Sequence, residues 1–303
     1  MTPPTLAPAR PGSGLGPAPG AVADSVAVEH DWLYYRIFVR DQRDLTPLID
    51  HTVRRIVAAA HELDPRGSWF FLRFVDECGM QVRLRHHGAL DAVAAVGEAA
   101  DRILADTAAM DPELARAYRG HAKGLYEPEY AKFGGATGVR LAERASQASS
   151  EAALKLIGPD FHRLRLGHAL AATLAALELL PAEQRLSFVY HMTWYWTGQN
   201  GERSGPLRTQ VDAAARRVAP DLRRLLDLVR EGPYRSVHEE YRLGLRVLLE
   251  QHRAAGIPRT APHLLFHLIH LTNNRLGVKP TEEAVLARWI RAEYGPGASY
   301  DAL

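Results

Sequence analysis

The sequence predicts an α+β fold in which a small antiparallel sheet with helices is followed by a larger, mostly helical part. Between about residues 31 and 135, aromatic and β-branched runs alternate with helical patterns in the order β-α-β-β-α-β, which is typical of a ferredoxin-like unit. From about residue 136 to 296, apolar residues recur at helical spacing in almost every segment. No internal repeat is evident, so we expect one domain over residues 27–303.

The first strand is predicted at "WLYYRIFV", which is rich in aromatic and β-branched residues. A helix is predicted over residues 46–63, because Thr46 can cap its N-terminus and Pro47 suits the first helical position. Turns at "DPRG" and "ECGM" then separate two more strands. The remaining elements of this part are the strands "WFFLRFVD" and "QVRLRHHG", a helix over about 90–106, and a last strand within "HAKGLYEPEYAKFGG".

The second part reads as consecutive helices that end at glycines and prolines. The segment "PLRTQVDAAARRVAPDLRRLLDLVREG" contains Pro220, so it is expected to form two helices or one kinked helix. The other predicted helices are "GVRLAERASQASSEAALKLIG", "FHRLRLGHALAATLAALELL", "PAEQRLSFVYHMTWYWTGQNG", "SVHEEYRLGLRVLLEQHRAAG", "APHLLFHLIHLTNNRLG" and "TEEAVLARWIRAEYG".

Composition excludes several classes of protein. The chain has 303 residues and a net charge of only +2, which does not favour a nucleic-acid partner. Its single cysteine, Cys78, rules out an intrachain disulfide and a cysteine-rich zinc site. No apolar run approaches the roughly 18 residues of a membrane helix, so no membrane partner and a cytoplasmic location are expected. Residues 1–26 are rich in Pro, Gly and Ala and are expected to be disordered.

The strand "VRLR" raises the question of function. Side chains alternate across a strand, so Val82 and Leu84 share one face, while Arg83 and Arg85 stand together on the other. A solvated face would usually mix charges, because neighbouring like charges repel. The pair could be merely solvated, or it could clamp an anion or carbonyl oxygen, for which arginine is suited. In the preceding strand, Arg73 lies on the side of Trp69 and Phe71.

A second group of polar residues lies on "PHLLFHLIHLTNNRLG", which Gly277 is expected to end. Three histidines and an asparagine share one helix face. A metal site is not favoured, because another ligand would be needed and nothing resembles HExxH. The polar residues near the helix end could cap it or form a site. These four residues are His270, Asn273, Asn274 and Arg275, and the three histidines on the shared face are His263, His267 and His270.

Two aromatic segments are further candidates. In "LYEPEYAKFGG", Tyr126 and Glu129 could face a pocket beside an arginine, or the segment could be only a loop. In "YHMTWYWTG", the side chains of Trp194, Tyr195 and Trp196 are either core or the wall of a pocket for an uncharged, planar ligand. Cys78 has no evident base partner, and no nucleotide-binding motif is present, so neither a cysteine nucleophile nor a nucleotide cofactor is expected.

Taken together, "WFFLRFVDECGMQVRLRHHG", "LYEPEYAKFGG" and "HLTNNRLG" resemble, in order and spacing, the small C-terminal domain of lantibiotic dehydratases. They also resemble its free-standing relatives, the thiopeptide-type bacteriocin biosynthesis proteins. The resemblance extends over Asp31–Tyr294. It implies a catalytic domain without a cofactor and one of two reactions.

The first implied reaction is elimination of glutamate from glutamylated Ser or Thr, which leaves dehydroalanine or dehydrobutyrine. The family's working residues for it match Arg83, Arg85 and His270 here. A further arginine, in a Tyr-x-Arg-Glu motif, is replaced by Pro128, which cannot supply a cation. The chain therefore resembles the pyridine synthases of thiopeptide pathways more closely, unless an arginine elsewhere, such as Arg73 or Arg140, takes that place.

The second implied reaction is a formal aza-[4+2] cycloaddition of two dehydroalanines in an azole-containing, leader-bearing peptide. Loss of water and of the leader gives a pyridine and closes a macrocycle. Under this hypothesis Arg83 or Arg85 stabilises an oxyanion. The expected proton-transfer residues are His270, Tyr126, Tyr195 and Glu129. The expected substrate-binding residues are Trp194, Trp196, Asn274, Arg275 and Arg73.

The implied partner is the leader-bearing precursor peptide, with association with other biosynthetic enzymes also allowed. Since leaders of this class tend to be acidic, a basic groove is expected. The arginine-rich runs "RVAPDLRRLL" and "YRSVHEEYRLGLR" could supply it or could simply be solvated. Oligomeric state is left open. A third hypothesis, of a different class, is a non-catalytic peptide-binding subunit, in which no pocket opens near His270.

Overall fold

The computed structural model describes residues 31–110, 112–198 and 201–295. The predicted disordered segment, residues 1–26, lies outside these ranges. Within them the chain is α+β: four strands and most of the small helices come first, and long helices follow. This confirms the predicted fold class.

The sheet has the strand order β2-β3-β1-β4, and every neighbouring pair is antiparallel. That order, with a helical connection after β1 and after β3, is that of a ferredoxin-like unit, as predicted. The strands are β1 Trp32–Val39, β2 Ser68–Asp76, β3 Gly79–His87 and β4 Tyr118–Lys123.

The helices account for most of the remaining chain. Pairs of them pack together around α7, which is buried along nearly its whole length. They are α1 Leu45–Leu48, α2 Arg54–Leu63, α3 Leu90–Met110, α4 Pro112–Ala117, α5 Tyr130–Phe133, α6 Ala136–Leu156, α7 Phe161–Leu177, α8 Ala182–Gly198, α9 Ser204–Glu231, α10 Arg235–Ala254, α11 Ala261–Arg275 and α12 Pro280–Glu293. No helix among the described residues is long and apolar enough to cross a membrane.

Three details differ from the sequence-based expectations. The cap predicted at Thr46 is wrong, because helix already begins at Leu45, and the Thr46 hydroxyl instead accepts a hydrogen bond from Arg73. The last strand begins at Tyr118, earlier than predicted, and ends before the "YEPE" loop. Helix α9 continues through Pro220 as one element, so the two-helix alternative is wrong, while the alternative of a single helix stands. The proline and Arg216, whose carbonyl loses its usual partner, are both exposed, so water can replace the missing hydrogen bond.

The sheet has two different faces. Val82 and Leu84 of β3 are buried with Trp69 and Phe71 of β2 in the main core. Helices α2 and α3 cover this face, as shown by residues such as Ile56 that lie against the strands. Arg83 and Arg85 point to the other face, as the alternation predicted. The second face is where the candidate site lies.

Helices α7 and α9 pack very closely at Gly167. A Cβ atom at this position would lie 2.8 Å from the backbone oxygen of Leu225. We therefore expect Gly167→Ala to lower the free energy of unfolding by about 1–3 kcal/mol, because backbone in contact cannot move aside freely. Urea denaturation followed by circular dichroism would measure this.

The matched control is Gly244→Ala on the exposed side of α10, where the new methyl group meets only Ala148, at 4.0 Å. Replacing an unconstrained helical glycine by alanine should raise the unfolding free energy by roughly 0.5–1 kcal/mol. Equal effects of the two substitutions would contradict the close approach of α7 to α9.

Candidate functional site

A cavity of about 430 Å³ opens on the second face of the sheet. Strands β2 and β3 form one side of it, and the loop after β4, helix α6 and helix α11 form the others. The cavity brings together seven residues that the sequence had suggested from three separate motifs. They are Arg73, Arg83, Arg85, Tyr126, Glu129, His270 and Asn274.

Arg85 is the most unusual side chain in the cavity. Its guanidinium carbon lies 4.7, 5.3 and 5.1 Å from the ring centres of Tyr34, Phe70 and Tyr126. Its Nε and Nη1 atoms are buried without a hydrogen-bond partner, and no salt bridge to it occurs among the described residues. Burial lowers the pKa of Arg85. The cation is thus held by aromatic faces and remains available to an oxygen atom of a ligand.

Arg83, by contrast, has its charge balanced. Its Nη2 atom lies 2.9 Å from a carboxylate oxygen of Asp76, which Arg36 also contacts at 3.0 Å. Its guanidinium stacks over Phe74, with 3.3 Å between the guanidinium carbon and the ring centre. Although Arg83 lines the cavity, it is less free than Arg85 to meet a ligand.

Arg73 and Asn274 attach α11 to the edge of the sheet. The Asn274 side chain accepts a hydrogen bond from the backbone N–H of Arg73 at 2.9 Å and donates one to its carbonyl at 2.8 Å. The Arg73 guanidinium donates to the carbonyl of Arg275 at the end of α11 and to Thr46. A cation at this end of a helix is favourable. Both side chains are therefore already occupied by contacts that build the fold.

The Arg275 side chain does not reach the cavity. It is fully buried, and its Nε donates to Ser150 of α6 at 2.9 Å, while both terminal nitrogens have no partner. Burial lowers the pKa of Arg275 to about 9. Arg275 does not line the cavity, so nothing in the cavity supports the predicted contact of this residue with substrate.

His270 forms a hydrogen-bonded pair with a residue that the sequence had not suggested. Its Nδ1 lies 2.8 Å from Oε1 of Glu283 in α12, and the Glu283 side chain is only 1% exposed. Burial raises the pKa of Glu283. In the sequence, Glu283 looks like an ordinary acidic residue of a first helical turn, so only the packing of α12 on α11 reveals it.

Tyr126 also pairs with an unexpected carboxyl group. Its hydroxyl donates to Glu143 of α6 at 2.9 Å, and both residues line the cavity. Burial raises the pKa of both groups. Glu143 lies on the same face of α6 as the buried residues Val139, Ala142 and Ser146, and a charged residue on such a face was a usable sequence signal. Glu129, at the cavity rim, pairs with Lys132 at 3.1 Å.

The three aromatic candidates of α8 do not line the cavity. Trp194 is exposed, with Arg208 stacked on it. Tyr195 packs against Phe266, with 4.7 Å between ring centres. Trp196 lies behind the cavity wall, where its ring centre is 4.6 Å from that of His270.

The other histidines of α11 are used in packing. The Nε2 atom of His263 contacts the backbone carbonyl of Lys132 at 3.1 Å, and His267 lies beside Phe133. Burial lowers the pKa of His267 to about 4. In the part of the chain that the structure describes, no group of three or more His, Cys, Asp or Glu side chains is placed to hold a metal ion.

Three solved structures share this fold. A tRNA-dependent lantibiotic dehydratase, MibB from Microbispora sp. 107891, matches with a TM-score of 0.60 and 21% identity over 86% of this chain and 28% of that longer chain. TsrL matches with a TM-score of 0.60 and 17% identity over 87% and 95% of the two chains. TbtD, the pyridine synthase of thiomuracin biosynthesis, matches with a TM-score of 0.63 and 17% identity over 87% and 99%.

No curated protein sequence matches the chain. The family model described as the C-terminal part of the lantibiotic biosynthesis dehydratases matches residues 32–294. This confirms the resemblance and supports a role as an enzyme in lantibiotic- or thiopeptide-type peptide biosynthesis. Since the match covers nearly all of the described chain, the protein belongs to the family of lantibiotic dehydratase C-terminal domains.

Proposed function

We propose that the protein is a thiopeptide pyridine synthase. Its substrate would be a leader-bearing peptide with azoles and two dehydroalanines, which it converts to a pyridine-centred macrocycle. The main support is the cavity in which the caged cation of Arg85 and the imidazole of His270 face the same space while Pro128 takes the place of an arginine.

The charges around the cavity argue against glutamate elimination. Neither proposed substitute for the missing arginine is suitably placed: the Arg73 guanidinium is engaged at the end of α11, and Arg140 is exposed and bonded to Thr137. Lys132 lines the cavity but pairs with Glu129. A departing glutamate would also meet like charges, because the carboxyl groups of Glu127 and Glu129 line the cavity.

An uncharged peptide with transient negative charge suits the site better. To form the 2-azadiene, the amide of one dehydroalanine must lose its N–H proton and gain a proton on oxygen. In the proposal, Nε2 of His270 takes the first proton, and Arg85 stabilises the negative charge on the amide oxygen until that oxygen is protonated. Two carbon–carbon bonds to the second dehydroalanine then close the six-membered ring.

Two groups must leave before the ring becomes aromatic. The hydroxyl of the former amide departs as water, and the leader departs as a carboxamide, so each leaving group takes up one proton while the ring gives up one. Glu143, whose pKa is raised by burial, is placed with Tyr126 to donate in this region. Holding both dehydroalanines together supplies a further part of the rate enhancement, because a flexible peptide otherwise rarely brings its ends into contact.

The leader-binding surface remains a prediction. The run "YRSVHEEYRLGLR" of α10 does border a second cavity of about 290 Å³, together with α7 and Arg230 of α9, whereas no residue of "RVAPDLRRLL" lines it. Its cations are partly balanced, since Arg235 contacts Glu239 at 2.8 Å and Arg242 lies 4.0 Å from Glu178. An acidic leader would have to compete with these contacts.

The first test uses two synthetic leader-bearing peptides. One carries thiazoles and two dehydroalanines, and the other is its glutamylated precursor. Mass spectrometry should show release of the leader as a carboxamide, with loss of water, from the first peptide only. Stepwise loss of glutamate from the second would instead establish an eliminase, and binding with no mass change would establish a non-catalytic subunit.

A second test concerns Arg85. Because its guanidinium lines the cavity with two nitrogen atoms that have no hydrogen-bond partner, Arg85→Ala should lower kcat for leader release by about 10²- to 10³-fold. Arg83→Ala should have a smaller effect, because Arg83 is balanced by Asp76. Rates from timed mass spectra, and leader affinity from fluorescence anisotropy, would separate turnover from binding.

The control is Arg119→Ala, which removes an exposed arginine from β4, outside the cavity. It should change neither turnover nor leader affinity. If Arg85→Ala weakens binding but leaves turnover intact, the role of Arg85 in the chemical step is wrong.

A further inference from the structure

We infer that Glu283 is a positioning residue for His270: it fixes the proton of the imidazole on Nδ1 and leaves Nε2 as the base that faces the cavity. The inference rests on the proposed function for the identity of the reaction. The hydrogen bond between the two side chains is independent of the reaction, because Nδ1 of His270 lies 2.8 Å from Oε1 of Glu283 in the structure.

Two adjacent glutamates of α12 have different environments. Glu282 is partly exposed, forms a salt bridge with Arg165 at 2.8 Å and accepts a hydrogen bond from the backbone of Lys279. Glu283 turns inward and contacts His270 instead. Glu282 therefore supplies the acidic side chain that is favourable at the N-terminus of α12, and Glu283 is not needed for that interaction.

The burial of Glu283 is costly and poorly compensated. Its Oε2 atom is buried without a hydrogen-bond partner. Asn273 and Trp196 lie close enough to oppose the rise in its pKa, although neither makes a hydrogen bond of normal geometry with it. A buried carboxyl group in such a position is weak as a source of stability. Its close contact with a cavity-lining imidazole points to a functional reason for its presence.

The other titratable groups around His270 lie on α11, on α8 and on the walls of the cavity. His267 is one turn before His270 on α11, and Tyr195 is on α8. Among the described residues, Glu283 is the carboxyl group that makes a hydrogen bond with the imidazole of His270. The cavity-wall groups are Arg73, Arg83, Arg85, Tyr126, Glu127, Glu129, Lys132 and Glu143.

The chemistry of the pair follows from what each group can do. In this inference the Glu283 carboxyl group is taken as ionised: burial raises its pKa, and the hydrogen bond to His270 opposes that rise. An ionised carboxylate can only accept hydrogen bonds, so a neutral imidazole beside it must carry its proton on Nδ1. Nε2 then has a free electron pair. When Nε2 takes the N–H proton of the substrate amide, the electron pair stays on the amide and the imidazole becomes a cation. Glu283 stabilises that cation, and the proton is returned when the products leave.

Nuclear magnetic resonance on the full chain labelled with ¹⁵N-histidine tests this directly. In the unaltered protein at neutral pH, long-range ¹H–¹⁵N spectra should show that Nδ1 of His270 is protonated and that Nε2 is not. The signals are assigned by their loss in His270→Asn. The opposite tautomer in the unaltered protein would overturn the inference. That result does not depend on whether any substituted protein folds.

Glu283→Gln keeps the shape of the side chain but removes its charge. The amide can donate as well as accept, so both tautomers of His270 should appear. The kcat for leader release should also fall by about 10²-fold, because the imidazolium formed in the proposed step loses its stabilising carboxylate.

Two further variants separate positioning from packing. Glu282→Gln removes the neighbouring carboxylate and should leave the tautomer of His270 unchanged. Glu283→Asp restores the charge and should recover the tautomer that is protonated on Nδ1. A Glu283→Gln protein with an unchanged tautomer would overturn the inference. If these spectral changes occur but no peptide releases its leader, the proposed reaction is wrong and the role of Glu283 stands.

Discussion

The paired hydrogen bonds between the Asn274 side chain and the backbone of Arg73 attach helix α11 to the free edge of strand β2. The two residues are 201 positions apart in sequence. Through this contact, and the bond from Arg73 to the end of α11, the helical part is held against the sheet. This attachment places His270 beside the arginines of β3, in one cavity. Arg73 and Asn274, which were expected to bind substrate, thus hold together two walls of the site.

The cations that line the cavity are stabilised in two ways. Arg83 and Lys132 each face a carboxylate, so their charge is already balanced. Arg85 is held by three aromatic rings, which stabilise a cation without occupying its hydrogen-bond donors. A carboxylate beside Arg85 would hold it more firmly but would also compete with the oxygen atom of a substrate. The aromatic cage therefore preserves both the position and the availability of the guanidinium.

The fold is shared by part of a lantibiotic dehydratase and by a pyridine synthase, so the fold alone does not select a reaction. Selection depends on side chains in the cavity. Pro128 stands where the dehydratase motif has an arginine, while Glu127 and Glu129 add carboxyl groups to the cavity. In the proposed reaction, the two hydrogen-bonded pairs, Tyr126 with Glu143 and His270 with Glu283, provide the proton-transfer groups. Such a combination suits proton transfer to and from an uncharged peptide.

Patterns among neighbouring residues in the sequence were enough to predict much of the fold and part of the site. Alternation along β3 placed Arg83 and Arg85 on one face, helical spacing placed His270 and Asn274 on one side of α11, and Gly277 marked the end of that helix, where its backbone has a positive φ angle. These features depend on neighbours in sequence. The three short motifs also sufficed to identify the family, whose model matches residues 32–294.

Only the tertiary structure decided what each side chain contacts. Arg275 and Arg73 turn inward, Trp194 turns to solvent, and Glu283 and Glu143 turn toward His270 and Tyr126. A carboxylate in a first helical turn looks the same in sequence whether water or an imidazole faces it. The difference arises from the packing of α12 on α11 and of α6 on the sheet, and such contacts between distant segments leave no periodic signal in the chain.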